Sequence, residues 1–283
     1  MTLPYTKIAA LPVLWRVGVF LLGLAVIWIP LALPLHLLLR SDPNTETIAT
    51  MGLLFIEFFL LVWFWGRRVK ERDRPFAYYG LVWTRQNGLY CLHGLALGTG
   101  MTIALFLTMA ACGWVEFVSA DHVVRVMVEG LGVALGVGLA EEFVFRGWLL
   151  DELETDYSPS VALWSSAVLF AIAHYLKPVA EMIRTFPQFP SLVLLGLILV
   201  WAKRQTQHRL GLSIGLHGGL VWGYYIINVG ALVQYRDRVP PWVTGIDRNP
   251  LAGLLGITFL IALALWVRRR GDGICEDRPQ GTS

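Results

Sequence analysis

Two adjacent glutamates, Glu141 and Glu142, and Arg146 interrupt an otherwise apolar run, GLAEEFVFRG, from Gly138 to Gly147. His174 in LFAIAHYL and His217 in LSIGLHGGLVWG interrupt two more such runs. A carboxylate and an imidazole that share a water form a general-base pair, and a second imidazole can donate to a developing oxyanion. That set hydrolyses a peptide bond without a covalent intermediate. The same glutamate and two histidines could instead bind zinc with a fourth position left for water. The chain lacks HExxH, the spacing that would place two zinc ligands on one helix face, so the metal reading is the weaker one. Adjacent helical residues point about 100° apart, so Glu141 and Glu142 serve different ends. Glu142 and Arg146 stand at i, i+4 with the acid first, the favourable order for an ion pair, which leaves Glu141 free.

Such groups need elements to hold them, and the composition says which kind. Of 283 residues 56 % are hydrophobic, 12 % aromatic and only 15 % charged, with a net charge of +3 and mean hydropathy of +0.59. A soluble domain carries about a quarter charged residues, so the chain reads as a membrane protein. About 20 apolar residues cross a bilayer as a helix. Eight runs qualify, at roughly 17–39, 48–66, 88–113, 123–151, 159–176, 190–203, 210–230 and 250–267. The first is too long for a signal peptide and is expected to be retained. The expectation is an all-α polytopic bundle of about eight transmembrane helices. One domain fills residues 1–270, and a disordered cytoplasmic tail follows at 271–283. Ser158-Pro159 marks a helix start and Lys177-Pro178 a stop.

With this alternation, 15 of the 23 Lys and Arg fall on the side of the N-terminus, among them Arg67, Arg68, Lys70, Arg72, Arg74 and Arg85 and again Arg268, Arg269 and Arg270. The positive-inside rule then puts both termini in the cytoplasm. The 67–74 cluster is expected to touch anionic lipid heads rather than nucleic acid. Cys91, Cys112 and Cys275 show no metal-like spacing, and the first two read as buried thiols without a disulfide framework.

A charge at membrane depth is costly unless it faces protein or water, so each one is a functional candidate. Counted from the cytoplasmic helix ends, Glu141 lies about 15 Å deep, His174 about 20 Å and His217 about 10 Å. These depths are compatible with one cavity between helices four, five and seven, open toward the cytoplasm. Gly132, Gly136 and Ala140 form a small-residue stripe expected to seat a neighbouring helix. Gly215, Gly218 and Gly219 are expected to leave room for a substrate backbone. Glu57, an isolated acid in the second run, is expected to hydrogen-bond a neighbouring helix. His36 and His93 read as interfacial, Glu129 as outside the site, and Trp63, Trp65, Trp83 and Trp114 as an aromatic belt.

At these positions the chain resembles the CPBP family of intramembrane glutamic endopeptidases, the CAAX prenyl protease and bacteriocin-processing group also called ABI. Its three-part pattern is EExxxR, FxxxH and a later His with Asn or Asp four residues on. Glu141-Glu142-Phe-Val-Phe-Arg146 and Phe170-Ala-Ile-Ala-His174 match in full, whereas His217-Gly-Gly-Leu-Val221 keeps the histidine and lacks the amide. The resemblance covers about residues 123–230. It implies a hydrolase in which Glu141 and His174 activate water, His217 stabilises the oxyanion, and Glu142 with Arg146 forms a structural pair. It implies no cofactor, a protein or peptide substrate with a membrane-associated segment, and a bacterial cytoplasmic membrane as the setting. Losing one oxyanion donor at Val221 corresponds to roughly 10²–10³ in rate. Tyr224, on the His217 face, is the candidate substitute, and Asn228 is too far along the axis. A non-catalytic membrane scaffold or immunity protein of the same fold is the rival reading, and Val221 favours it.

Overall fold

The computed structural model describes residues 5–271. The predicted tail beyond Gly271, with Cys275, lies outside the described residues. Within them the chain is an all-α, polytopic membrane fold. A short α1 (Tyr5–Ala9) precedes two long antiparallel helices, α2 (Val13–Leu39) and α3 (Pro43–Arg68). Asp42 caps α3 by accepting from the Asn44 and Thr45 amides, with Pro43 at the first helical position. A one-turn α4 (Pro75–Tyr78) leads to α5 (Arg85–Ala111), and a three-residue strand β1 (Val115–Phe117) follows. The fourth apolar run forms one continuous rod. It comprises α6 (Val123–Glu142), a π-helical stretch Phe143–Leu149, and α7 (Leu150–Asp156).

Next come α8 (Pro159–Ala173), the short α9 (Val179–Thr185), α10 (Phe189–Gln205) and α11 (Gly211–Asn228). A strand β2 (Val233–Tyr235), a short α12 (Pro241–Thr244) and α13 (Leu254–Gly271) complete the described residues. Every predicted apolar run is thus helical. Among the described residues, five segments are long and apolar enough to cross a membrane: Val13–Leu39, Pro43–Arg68, Arg85–Ala111, Val123–Asp156 and Val179–Gln205. Helix α8 is a shorter apolar helix, and α11 and α13 have 18 residues each.

Ser158 starts α8 as expected, its hydroxyl accepting from the Val161 amide at 3.4 Å. The helix ends at Ala173, three residues before the predicted boundary. Side chains take over there: Tyr175 donates to the Thr185 carbonyl at 2.8 Å and turns the chain toward α9.

The connections gather into two layers. At one end β1 and β2 pair antiparallel, Val115 opposite Tyr235, and join the exits of α5 and α11. At the other, buried Arg16 donates to Glu152 at 2.8 Å and to Asp156 at 2.9 Å, while Asp156 accepts the Val13 amide at 2.6 Å. Lys70 reaches Glu152 at 3.1 Å, and Arg204 reaches Glu154 at 2.8 Å. The alternating crossings inferred from the sequence require this segregation. An aromatic cluster ties α2 and α3 to the π stretch, with Phe20 stacked on Trp148 at 4.0 Å.

Helix α11 runs between α5 and α6, and glycine makes this possible. A Cβ on Gly215 would sit 1.9 Å from the Cys91 carbonyl oxygen, and one on Gly219 would sit 2.4 Å from that of Leu95. A Cβ on Gly218 would meet the Ala134 carbonyl at 3.0 Å. These glycines therefore admit neighbouring helices, not the substrate backbone expected of them. The predicted stripe is corrected likewise, because Cβ atoms on Gly132 or Gly136 would meet nothing within 4 Å. The seam of α6 with α11 uses Gly130 and Gly138 instead.

Further expectations are revised. Trp65 is buried and donates its indole N–H to Glu152 at 2.8 Å, so it belongs to the interior and not to the aromatic belt. Glu57 is buried, yet neither of its carboxylate oxygens has a hydrogen-bond partner, contrary to the interhelical bond expected. Cys112 is exposed where a buried thiol was expected; Cys91 is half-buried, and both are free.

Candidate active site

The rod α6–π–α7 supplies the EExxxR motif, and the motif sits where its helical geometry changes. Glu142 ends α6, and the π turn begins at Phe143. The Leu150 amide donates to the Phe145 carbonyl, five residues back, as a π turn requires. Such bulges recur at functional sites. Two neighbouring helices brace this one. The Ser166 hydroxyl on α8 donates to the Phe145 carbonyl at 3.2 Å, and the Lys203 ammonium on α10 donates to the Arg146 carbonyl at 2.5 Å. Both side chains are buried. Neither stands out in the sequence: Ser166 is one small residue among many, and Lys203 reads as a terminal charge of its helix.

Glu142 and Arg146 form the expected pair, Nη1 to Oε1 at 2.8 Å, with both side chains 0 % exposed. Arg146 also donates to the Gly196 carbonyl at 3.4 Å. Its guanidinium lies 4.2 Å from the centre of the Phe170 ring. Phe170 is fully buried, and its ring meets His174 edge-on at 4.6 Å and His217 at 6.0 Å. The aromatic of FxxxH thus packs against the motif's arginine and both histidines at once.

His174 follows the last residue of α8, where a helix leaves carbonyls without partners. Its Nδ1 lies 2.9 Å from the Phe170 carbonyl one turn back. A carbonyl only accepts, so Nδ1 carries the hydrogen and Nε2 faces outward. That Nε2 stands 3.8 Å from Oε2 of Glu141. From the far side, His217 on α11 brings its own Nε2 to 3.9 Å from the same oxygen. Its Nδ1 lies 2.9 Å from Oε1 of Glu142. The two glutamates, expected to serve separate ends, therefore both face His217.

Glu141 and His174 side chains are 32 % and 33 % exposed, whereas His217 is 6 % exposed, so the shared space opens on the side of Glu141 and His174. Oε2 of Glu141 is itself a buried atom without a direct hydrogen-bond partner. Partners 3.8–3.9 Å apart are too far for a direct hydrogen bond. The separation suits one bridging water held about 2.8 Å from each.

Five of the sequence candidates for one apparatus, Glu141, Glu142, Arg146, His174 and His217, meet here, with Phe170 between them. Tyr224 does not join them among the contacts of the described residues. It lies two turns beyond His217, about 10 Å along the axis. Its backbone carbonyl accepts from Asn228 at 3.1 Å, and Asp247 and Tyr235 of the connecting layer are its electrostatic neighbours. Glu129 pairs with Arg125 at 2.6 Å on an exposed face, away from the site. His36 faces Glu46 at 3.0 Å where α2 turns into α3. Among the described residues, no group of three or more His, Cys, Asp or Glu side chains is arranged to hold a metal ion as it stands.

Residues 123–223, which carry every member of this cluster, match a family model described as type II CAAX prenyl endopeptidase Rce1-like. No curated protein and no solved structure matches the chain. The matched family is one of peptidases, and the match begins with α6 and ends within α11. Over residues 123–223 the chain is therefore similar to the type II CAAX prenyl endopeptidase Rce1-like family, in agreement with the CPBP resemblance of its three motifs.

Proposed function

We propose that the protein is an intramembrane endopeptidase that hydrolyses a peptide bond of a membrane-associated protein or peptide with an activated water. The observation that carries this reading is the convergence of Glu141 with the Nε2 atoms of His174 and His217, at 3.8 and 3.9 Å. Glu141 takes the proton of a water bridged to His174, and the water oxygen bonds to the carbonyl carbon. His217 lies across the same space, where the carbonyl oxygen becomes an oxyanion. When the tetrahedral adduct collapses, the carbon–nitrogen bond breaks and the proton held by Glu141 passes to the leaving amine. Glu142, Arg146 and Phe170 hold the three groups in register. No resident cofactor enters this scheme, and a zinc ion on the same three side chains is its metal variant. Activity that survives a chelator removes that variant.

The substrate class is a protein or peptide with a membrane-associated segment, and the surroundings are the lipid bilayer, without nucleic acid. The setting is a bacterial cytoplasmic membrane crossed several times, both termini on the cytoplasmic side. The bulk of Lys and Arg on that face supports this orientation. Val221 supports the rival reading of a non-catalytic scaffold or immunity protein, since it offers no second oxyanion donor. One experiment separates the two. Cells expressing wild type and Glu141→Gln at matched abundance are compared for peptides and membrane-protein termini. Termini lost only in the variant identify the substrate and support the peptidase. Identical profiles with an intact phenotype favour the scaffold.

A further inference from the structure

The bond between His217 and Glu142 has a consequence that the pairing of Glu142 with Arg146 alone would not have. Oε1 of Glu142 accepts from Arg146 at 2.8 Å and lies 2.9 Å from Nδ1 of His217. A carboxylate beside a buried guanidinium is an acceptor, so the hydrogen of the second bond belongs to His217 Nδ1. We propose that Glu142 is a positioning residue: it holds His217 in the Nδ1–H form and so turns a bare Nε2 toward Glu141 and His174. This inference rests on the reading of Glu141 and His174 as the water-activating pair.

His174 is fixed in the same sense by the Phe170 carbonyl. With both imidazoles neutral, the three groups around the shared space are all acceptors. A water has only two hydrogens to give, so it cannot satisfy all three. One more proton completes the set, carried by one of the three groups. His217 can then donate to an oxyanion only when Nε2 is protonated as well. The charged and titratable groups that face it in that state are Glu141 and Glu142 from α6, Arg146 from the π turn and His174 from the end of α8. From α10, Lys203 reaches the same turn through the Arg146 carbonyl. Helix α5 brings glycines to the α11 seam. A charge-assisted donor is about twice as strong as a neutral one, which offsets the amide that Val221 lacks. The proton stays on His217 while the water proton goes to Glu141, so the balance of the hydrolysis is unchanged.

The test uses the full chain in lipid nanodiscs with 15N-labelled histidine, and His217→Gln serves to assign the resonances. At neutral pH the neutral form of His217 is expected to show a protonated Nδ1 and a bare, pyridine-type Nε2. Neutral His217 found with Nε2–H in wild type overturns the proposal. In Glu142→Leu, which removes the acceptor, the tautomer is expected to redistribute, and a folded variant with an unchanged Nδ1–H form also overturns it. Should that variant fail to fold, the wild-type tautomer decides alone. Against the substrate found by the termini comparison, kcat of folded Glu142→Leu is expected to fall by up to about 10²–10³, the cost of one oxyanion donor, because the carboxylate that supports a doubly protonated His217 is gone, with KM little changed. The nitrogen spectra need no catalysis, so this inference and the peptidase reading can fail separately.

Discussion

Replacing Arg146 with Met tests the architecture of the site most directly. Arg146 and Glu142 are both 0 % exposed and 2.8 Å apart. At an effective dielectric near 20 their attraction is about 6 kcal/mol, and desolvation of the two ions offsets much of it. Removing the cation alone leaves the Glu142 carboxylate buried with only His217 as a donor. It also removes the guanidinium from the face of Phe170, 4.2 Å away. A broken buried pair costs about 3–5 kcal/mol. Adding Glu142→Leu removes the stranded charge and leaves only His217 Nδ1 unpaired, a penalty of about 1–3 kcal/mol. The single Arg146→Met variant should therefore be less stable than the double Glu142→Leu/Arg146→Met variant, although both lose the buried ion pair. Equilibrium unfolding in mixed micelles, followed by the fluorescence of the 12 tryptophans, measures both. An Arg146→Met protein within 1 kcal/mol of wild type would refute the reasoning, as would a double variant destabilised by the sum of its singles.

The remaining expectations concern the frame. Gly215→Ala should cost at least 3 kcal/mol or prevent folding, because its Cβ would lie 1.9 Å from the Cys91 carbonyl oxygen and backbone cannot yield cheaply. Gly132→Ala, which meets nothing within 4 Å, should be neutral or stabilise by up to about 1 kcal/mol, and the same unfolding assay compares the two. Lys203→Met should strip the Arg146 carbonyl of its 2.5 Å partner, destabilise by about 1.5–3 kcal/mol and speed amide hydrogen exchange across 143–150. Lys203→Arg should restore part of that protection, and identical exchange in all three proteins would remove Lys203 as a brace. At the α2–α3 turn, the Thr45 hydroxyl, then the Thr45 amide, hold the Asp42 carboxyl below its ordinary value of 3.8. A lowered folded value contributes stability above the unfolded one, and that contribution is lost as pH falls through the lowered value. Exchange at the start of α3 should accelerate on acidification in that window for wild type and stay flat for Asp42→Ala.

The sequence by itself determined the elements and the candidates. Runs of about 20 apolar residues have few fates other than a helix in lipid, because backbone polar groups there must pair internally. The eight runs are helical for that reason. The expense of an ionisable group in such a run singled out Glu141, Glu142, Arg146, His174 and His217. The i, i+4 spacing also foretold the Glu142–Arg146 pair, since it is a local relation along one helix.

What the tertiary structure decided is everything that depends on which helix lies beside which. Glycine spacing marks small faces but not their occupants. Gly132 and Gly136 turned out to face open space, while Gly215, Gly218 and Gly219 make way for α5 and α6. An indole at a helix end reads as a belt residue until a buried partner exists; Trp65 found Glu152, 87 residues away. The π turn could not be read from periodicity, because seven residues are too few to show it and its braces, Ser166 and Lys203, come from other helices. For the same reason His217 was assigned to one glutamate and meets two. Spacing along the chain tells what a helix carries; only packing tells what it carries it to.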